Sequence, residues 1–374
     1  MVSRLIVLSV MIVFFLSWQY PATASENSNV EDQKPFVVIA LDGGGTYGYI
    51  SALILAYIEE NVGCHLSEVV DFFAGTSTGS IIAAGMTLRK KRADRKIHET
   101  VYTNEPAYSA RDLSELYLQQ GSKIFYNNTA RAMFTLGGFL GPTYSPDGLE
   151  KVLDSRFGEV KLVQSLKHVM MITYDDSNKT TQRLSSFDGF YNTCPVKKAV
   201  KCSAAAPGYF PKVDGKYIDG GVSANNPTSE ALDEVEKVFN RKLRDVRVVS
   251  IGTGCAKNYY MKHPSRNASS GLLSFSSLPE DMIAGNVQRT HRETQKRFDD
   301  IPDGIRRYWR FNPQLKKPGS LSDASESAFV DMKSLAQQYI HANKKGLDEV
   351  VEMLKGLRSV TKHAKSLEST ELRQ

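Results

Sequence analysis

The chain has 374 residues, 41% of them hydrophobic and 24% charged, with a formal net charge of +6 at pH 7. That balance fits a folded protein with a full-sized core, and the lack of any repeat period or low-complexity segment excludes a solenoid, a fibre or a disordered chain. Much of the positive charge lies in one run with no aromatic platform or groove-entering motif beside it, so nucleic acid is excluded as a partner.

Residues 1–24 are expected to be a secretory signal peptide. Arg4 precedes the apolar run Leu5 to Leu16, and Pro21 leads into the small residues Ala22-Thr23-Ala24. Cleavage is therefore expected after Ala24, with the mature protein secreted, periplasmic or otherwise extracytoplasmic. The run is short for a membrane span, although an uncleaved anchor with Trp18 and Tyr20 at the interface stays open. One domain is expected over residues 35–357, with its motifs within 35–260, followed by a polar, disordered tail over 358–374.

Phe36 to Leu41 form an unbroken apolar run of the kind that makes a strand buried on both faces. It leads into Asp42-Gly43-Gly44-Gly45-Thr46-Tyr47-Gly48, and a helix follows with Ile50, Leu53, Ile54, Tyr57 and Ile58 at helical spacing. Backbone amides of a glycine loop at a helix N-terminus suit the negative charge that develops on an attacked carbonyl oxygen. Gly43, Gly45 and Gly48 also satisfy a dinucleotide-binding fingerprint, with an acidic residue within Glu59 to Glu68, but that reading gives no reason for what comes next. Val69 to Phe73 read as a second strand and Ile81 to Met86 as a second helix, and between them lies Gly75-Thr76-Ser77-Thr78-Gly79. A serine on so sharp a strand-to-helix turn projects its hydroxyl clear of the sheet, and residues two positions away must be small. Ser77 is thus the candidate nucleophile.

The run Arg89-Lys90-Lys91-Arg92, with Arg95 and Lys96 nearby, reads either as a solvated loop or as a contact for anionic membrane surfaces. A polar, helical region to about residue 155 follows, then strand candidates at Val169 to Tyr174 and Arg183 to Phe187. Lys216 to Ile218 form a short strand ending in Asp219-Gly220-Gly221, before Asn225-Asn226-Pro227 and a helix from about Thr228 to Phe239. Val246 to Ile251 form another strand, ending in Gly252-Thr253-Gly254. Strands alternating with helices predict an α/β sandwich with its chemistry at the carboxyl ends of the strands, where all three motifs fall. Farther on, Phe329, Met332, Leu335, Ala336 and Tyr339 mark one amphipathic helix, and Leu347, Val350, Val351 and Leu354 another; both stripes read as core-facing.

The ordered set resembles the patatin-like phospholipase family. Residues 42–48 are similar to its glycine-rich oxyanion loop, 75–79 to its G-x-S-x-G elbow and 219–221 to its D-G-G motif, supported by Ser203 to Pro211 and by Asn225-Asn226-Pro227. The resemblance implies a three-layer α/β/α fold with a mostly parallel central sheet and a helical C-terminal region. It also implies a lipid acyl hydrolase of phospholipase A or lysophospholipase type. Ser77 would be the nucleophile, Asp219 the general base, and Gly43, Gly44 and Gly45 the oxyanion hole, with Asp42, Gly48, Gly75, Gly79, Gly220 and Gly221 in support. No cofactor or metal is implied, and the partner would be membrane or micellar lipid. Tyr47 departs from the pattern, standing where the family usually has Lys or Arg.

Two other readings remain open. A Ser–His–Asp esterase in the chain order Ser77, Asp219, then His263 or His291 suits α/β-hydrolases, and its histidine would impose an acid limb on the rate. A lipid-binding protein with an inactive site would need neither nucleophile nor base. In an exported protein Cys64, Cys194, Cys202 and Cys255 allow one or two disulfides, while four reduced cysteines are equally compatible with a chain of this size.

Overall fold

The computed structural model describes residues 34–94, 99–124, 142–256, 278–315 and 319–371. Strand β1 (Phe36–Leu41) is buried at every position. Successive side chains of a strand point to opposite faces, so an apolar run without alternation needs cover on both sides. Val37, Ile39 and Leu41 enter one core, whereas Phe36 and Val38 enter a second on the other face.

The central sheet also contains β2 (Phe72–Thr76), β5 (His168–Asp175), β6 (Thr180–Ser185), β7 (Tyr217–Asp219), β8 (Val246–Ile251) and β10 (Tyr308–Phe311), while β9 (Cys255–Ala256) pairs outside it with β11 (Gln314–Leu315). Its order is β10-β8-β1-β2-β5-β6, with β7 also paired to β5. Every joint from β10 to β5 is parallel, and β6 and β7 run antiparallel to β5. The first face is covered by α1 (Gly48–Val62), α2 (Thr78–Thr87), α3 (Ala110–Ile124), α4 (Pro146–Phe157) and α5 (Val196–Ser203), and the second by α6 (Gly221–Ala224), α7 (Thr228–Lys237) and α8 (Leu278–Asp299). Both C-terminal stripes enter the first core, on α9 (Glu326–Ala342) and α10 (Lys344–Glu371). This is the expected α/β/α sandwich.

Three details differ from the sequence reading. The basic run is strand β3 (Arg89–Asp94), paired with β4 (Glu99–Pro106) in a separate antiparallel ribbon. Its charged sequence lacks the apolar alternation that would have marked a strand. The strand expected at 183–187 lies at Thr180–Ser185, set by its register on β5. The helix α10 continues to Glu371, into the segment expected as a polar, disordered tail, since neither proline nor glycine follows Gly356 to stop it. The expected signal peptide lies outside the described residues, and among those residues no helix is long and apolar enough to cross a membrane.

Leu354 is fully buried in the first core, whereas Leu118 of α3 is 49% exposed. Leu354→Ala is expected to destabilise the fold by about 2–5 kcal/mol, and Leu118→Ala by under about 0.5 kcal/mol. Equal shifts in urea unfolding midpoints would contradict the placement of α10 in the core.

Candidate active site

The site exists because two strands meet end to end along one edge of β5. Thr76, the last residue of β2, pairs with Ile172, while Asp219, the last residue of β7, pairs with Thr173. The two strands run toward each other, so both chains leave the sheet at the same point. Ser77 follows Thr76 with φ 53° and ψ −122°, and α2 begins at the next residue. A non-glycine residue in this region costs on the order of 1–3 kcal/mol, so its surroundings must enforce it. The Ser77 amide donates to Ser203 Oγ at 2.9 Å, that hydroxyl donates to Ile172 O at 2.5 Å, and Ser80 Oγ donates to Ser77 O at 2.6 Å. The glycines allow the turn to close: a Cβ on Gly75 would lie 2.3 Å from Gly79 O, and one on Gly79 would lie 2.2 Å from Leu41 O. Gly48 and Gly220 are likewise sites of close approach, against Thr78 Oγ1 at 2.3 Å and Ile172 O at 2.3 Å.

Asp219 is 6% exposed. The Gly221 amide donates to its carboxylate at 2.7 Å, and the Ser77 side chain lies close enough to favour its ionised form. Burial pushes Asp219 up to about 6, and the bonds from Ser77 and Gly221 only partly oppose that rise. An acid limb near neutrality is therefore not peculiar to a histidine base. His291 is occupied elsewhere, its Nδ1 lying 3.1 Å from the Tyr308 hydroxyl, and His263 lies outside the described residues.

The glycine loop is anchored on three sides. Asp42 is buried and pairs with Arg310 of β10, whose Nη1 donates to Asp42 Oδ1 at 2.8 Å and to Ser250 Oγ at 2.9 Å. The Gly43 carbonyl accepts from Asn225 Nδ2 at 3.1 Å and from Thr253 Oγ1 at 2.8 Å. On the outer side, the Thr46 amide donates to Leu321 O at 2.8 Å, and the Tyr47 hydroxyl accepts the Gly319 amide at 2.8 Å. Where the family usually carries a basic side chain, this chain thus ties its loop to the segment before α9. One expected oxyanion donor is already engaged: the Gly43 amide donates to Asn225 O at 3.1 Å, so of the three expected donors only the Gly44 and Gly45 amides stay candidates.

Arg310 went unread in the sequence because it lies outside every motif, more than 250 positions from its partner. Its only signal was the demand that buried Asp42 have a cation. The basic run, by contrast, is engaged locally. Arg89 Nε donates to Gln164 O at 2.7 Å, Lys90 pairs with Glu105 at 3.6 Å, and the Lys91 ammonium lies 5.7 Å from the Tyr102 ring centre. Cys194, Cys202 and Cys255 carry free thiols, and burial pushes Cys202 up to about 12. Among the described residues no group of three or more His, Cys, Asp or Glu comes together that could hold a metal ion.

A family model described as patatin-like phospholipase matches residues 39–232, more than half of the chain. The chain belongs to the patatin-like phospholipase family. Patatin-like protein 1 of Arabidopsis thaliana is 29% identical over 273 residues, covering 64% of this chain and 63% of that protein. Patatin-like protein 2 of Oryza sativa subsp. indica is 27% identical over 282 residues, covering 65% of this chain and 66% of that protein. The chain therefore spans just under two thirds of the length of these plant patatin-like proteins. An intracellular phospholipase A2 of Caenorhabditis elegans is 27% identical over 365 residues, covering 89% of this chain but 31% of the longer protein. The solved structure of VipD from Legionella pneumophila, at 12% identity and a TM-score of 0.35 over 82% of this chain and 67% of its own, is too distant to bear on the fold. Within the patatin-like frame, the elbow, the D-G-G aspartate and the glycine loop occupy one site here.

The raised pKa of Asp219 carries a stability consequence. Below about pH 4 the carboxyl is neutral in folded and unfolded chains alike. Between its ordinary 3.8 and about 6 only the unfolded chain ionises, so stability is lost as pH rises through this window, and above it the deficit is constant. At 1.36 kcal/mol per pH unit the full deficit is about 3 kcal/mol. Asp219→Asn removes the ionisation, so its unfolding free energy relative to the parent should improve by up to that amount between pH 4 and pH 7. A pH-independent difference would contradict the buried, raised carboxyl.

Proposed function

We propose that this protein hydrolyses fatty-acyl esters of membrane or micellar lipids, with Ser77 as nucleophile and Asp219 as general base. The observation that carries this reading is that Ser77, on a backbone turn the fold holds under strain, is set beside the buried carboxylate of Asp219 by the meeting strand ends. A carboxylate near 4 is a weak base toward a serine hydroxyl, and desolvation of Asp219 narrows that mismatch. As Ser77 Oγ attacks the ester carbonyl, its proton passes to Asp219, and the carbonyl oxygen becomes an anion facing the Gly44 and Gly45 amides. The N-terminus of α2, which starts immediately after Ser77, adds a favourable dipole. Collapse of the tetrahedral species breaks the ester bond, and Asp219 returns the proton to the departing alcohol. Water then attacks the acyl-serine while Asp219 takes its proton, and collapse releases the fatty acid as Asp219 returns that proton to Ser77 Oγ.

A binding module with an inactive site has no use for the strained serine, its carboxylate partner and a clamped glycine loop together, so hydrolysis is preferred. The export reading belongs to the same proposal and rests on Arg4, Leu5 to Leu16 and Ala22-Thr23-Ala24. N-terminal sequencing of protein recovered outside the producing cell should begin at Ser25.

Ser77→Ala should abolish both fluorophosphonate labelling and fatty-acid release from a panel of defined lipids, while circular dichroism stays that of the parent. Asp219→Asn should lower kcat by a comparable factor, and His291→Ala by less than about tenfold. The parent kcat should fall on the acid side with a midpoint near 6, because Asp219 must be ionised to accept the proton. Labelling that survives Ser77→Ala, or a His291 variant as inactive as that of Ser77, would overturn the assignment.

A further inference from the structure

We propose that Thr253 and Asn225 are positioning residues that hold the Gly43–Gly44 peptide so that its amide faces the oxyanion; this rests on the acyl-hydrolase reading above. In a planar trans peptide the carbonyl and the following N–H point in opposite directions. Fixing the Gly43 carbonyl on one side therefore fixes the Gly44 amide on the other. Two side chains perform that fixing, Thr253 Oγ1 at 2.8 Å and Asn225 Nδ2 at 3.1 Å. They are 6% and 3% exposed, so water does not compete for the carbonyl.

The clamp is itself immobilised. Gly252 donates its amide to Phe311 O at 2.8 Å and Gly254 donates its amide to Asn312 Oδ1 at 2.8 Å, which pins Thr253 from both neighbours to the end of β10. Asn225 is held from the elbow side, where Thr76 Oγ1 donates to the preceding carbonyl, Ala224 O, at 2.8 Å. Its own main-chain oxygen takes the Gly43 amide at 3.1 Å. Contact is close throughout: a Cβ on Gly44 would lie 2.2 Å from Thr253 Oγ1, and one on Gly43 would lie 2.3 Å from Asn225 Oδ1 and 3.1 Å from Ser77 Cβ. The clamped peptide is therefore adjacent to the nucleophile.

The need for a clamp follows from the two glycines. Without Cβ atoms on either side, the peptide between Gly43 and Gly44 meets little steric resistance to rotation. Rotation would bring a carbonyl oxygen where an amide is needed, and two like dipoles would repel at the moment of reaction. The hydrogen bonds select one orientation before substrate arrives, which is what electrostatic preorganisation requires.

The test is steady-state kinetics of Thr253→Val, which replaces the hydroxyl with a methyl group of similar shape, beside Thr253→Ser, which retains a hydroxyl. Losing one hydrogen bond that orients the donor should lower kcat by about tenfold, less than the roughly 10²–10³ for deleting an oxyanion donor outright. KM should change by less than about twofold, and Thr253→Ser should recover most of the loss. The rate of fluorophosphonate labelling should fall in step with kcat, because the phosphonyl oxygen uses the same amide, while the acid midpoint near 6 should not move. If the valine variant misfolds by near-UV circular dichroism, Thr253→Ala, which only removes atoms, reads the same quantities. Unchanged kcat in a folded variant, a loss confined to KM, or a serine variant as impaired as the valine one would each overturn the positioning role. The two readings fail separately: activity that survives Ser77→Ala removes the hydrolase mechanism, whereas an inactive Ser77→Ala beside a fully active Thr253→Val removes only the clamp.

Discussion

The constraint on which the site depends is the meeting of β2 and β7 on one edge of β5. Because Ile172 and Thr173 are consecutive, the residues paired with them, Thr76 and Asp219, must end their strands side by side. Neither Ser77 nor Asp219 needs a long loop to reach the other. Sheet register, among the stiffest features of a protein, therefore sets the distance between hydroxyl and carboxylate. If Ser77 is the nucleophile and Asp219 its base, as proposed, a serine carried on a mobile loop would have to find that base each cycle and would lose the advantage of fixed geometry.

That placement works against stability at several points. Ser77 holds a left-handed φ, Asp219 is a carboxylate kept from water, and Asp42 is a second one directly below the glycine loop. Each is tolerable because of a named partner: Ser203 under the elbow, Ser77 and Gly221 on Asp219, and Arg310 on Asp42. The two carboxylates are treated differently. Burial pushes both carboxyls upward; on Asp42 the Arg310 guanidinium opposes that rise and ties the side chain to β10, whereas only uncharged donors oppose it on Asp219. The same end of the sheet thus carries one carboxyl held in an ion pair and one that meets only neutral donors.

The elements and motifs were legible in the sequence where a residue type has one physical use. Strand β1 was readable because an unbroken apolar run of its length must be covered on both faces, and Gly75 and Gly79 because a Cβ at either would collide with backbone. Residues that act as partners carried no such mark. Thr253 reads as part of a turn, Ser203 as one small residue among several, and Arg310 as a charge in a short strand; only tertiary structure gives each its acceptor. The ribbon of β3 and β4 escaped for a related reason, since strands outside a core need no apolar alternation. The Gly43 amide was misread because a glycine loop shows how many donors exist and not which of them the fold has already used.

That last distinction bears on how the loop works. Three glycines would offer three amides, but a loop with all three unengaged would be free to rotate and would point none of them reliably. Here the Gly43 amide and carbonyl are both committed to Asn225 and Thr253, and the loop beyond is tied through Thr46 and Tyr47 to the chain before α9. One donor is given up so that its neighbours are aimed. The tyrosine at position 47 fits the same logic: a basic side chain would bring charge to the loop, whereas a phenol that accepts the Gly319 amide brings rigidity. In the proposed mechanism, with no cation on the loop itself, stabilisation of the developing anion would fall to the Gly44 and Gly45 amides and the α2 dipole, and dipoles of that kind act at full strength only when held in place before the charge appears.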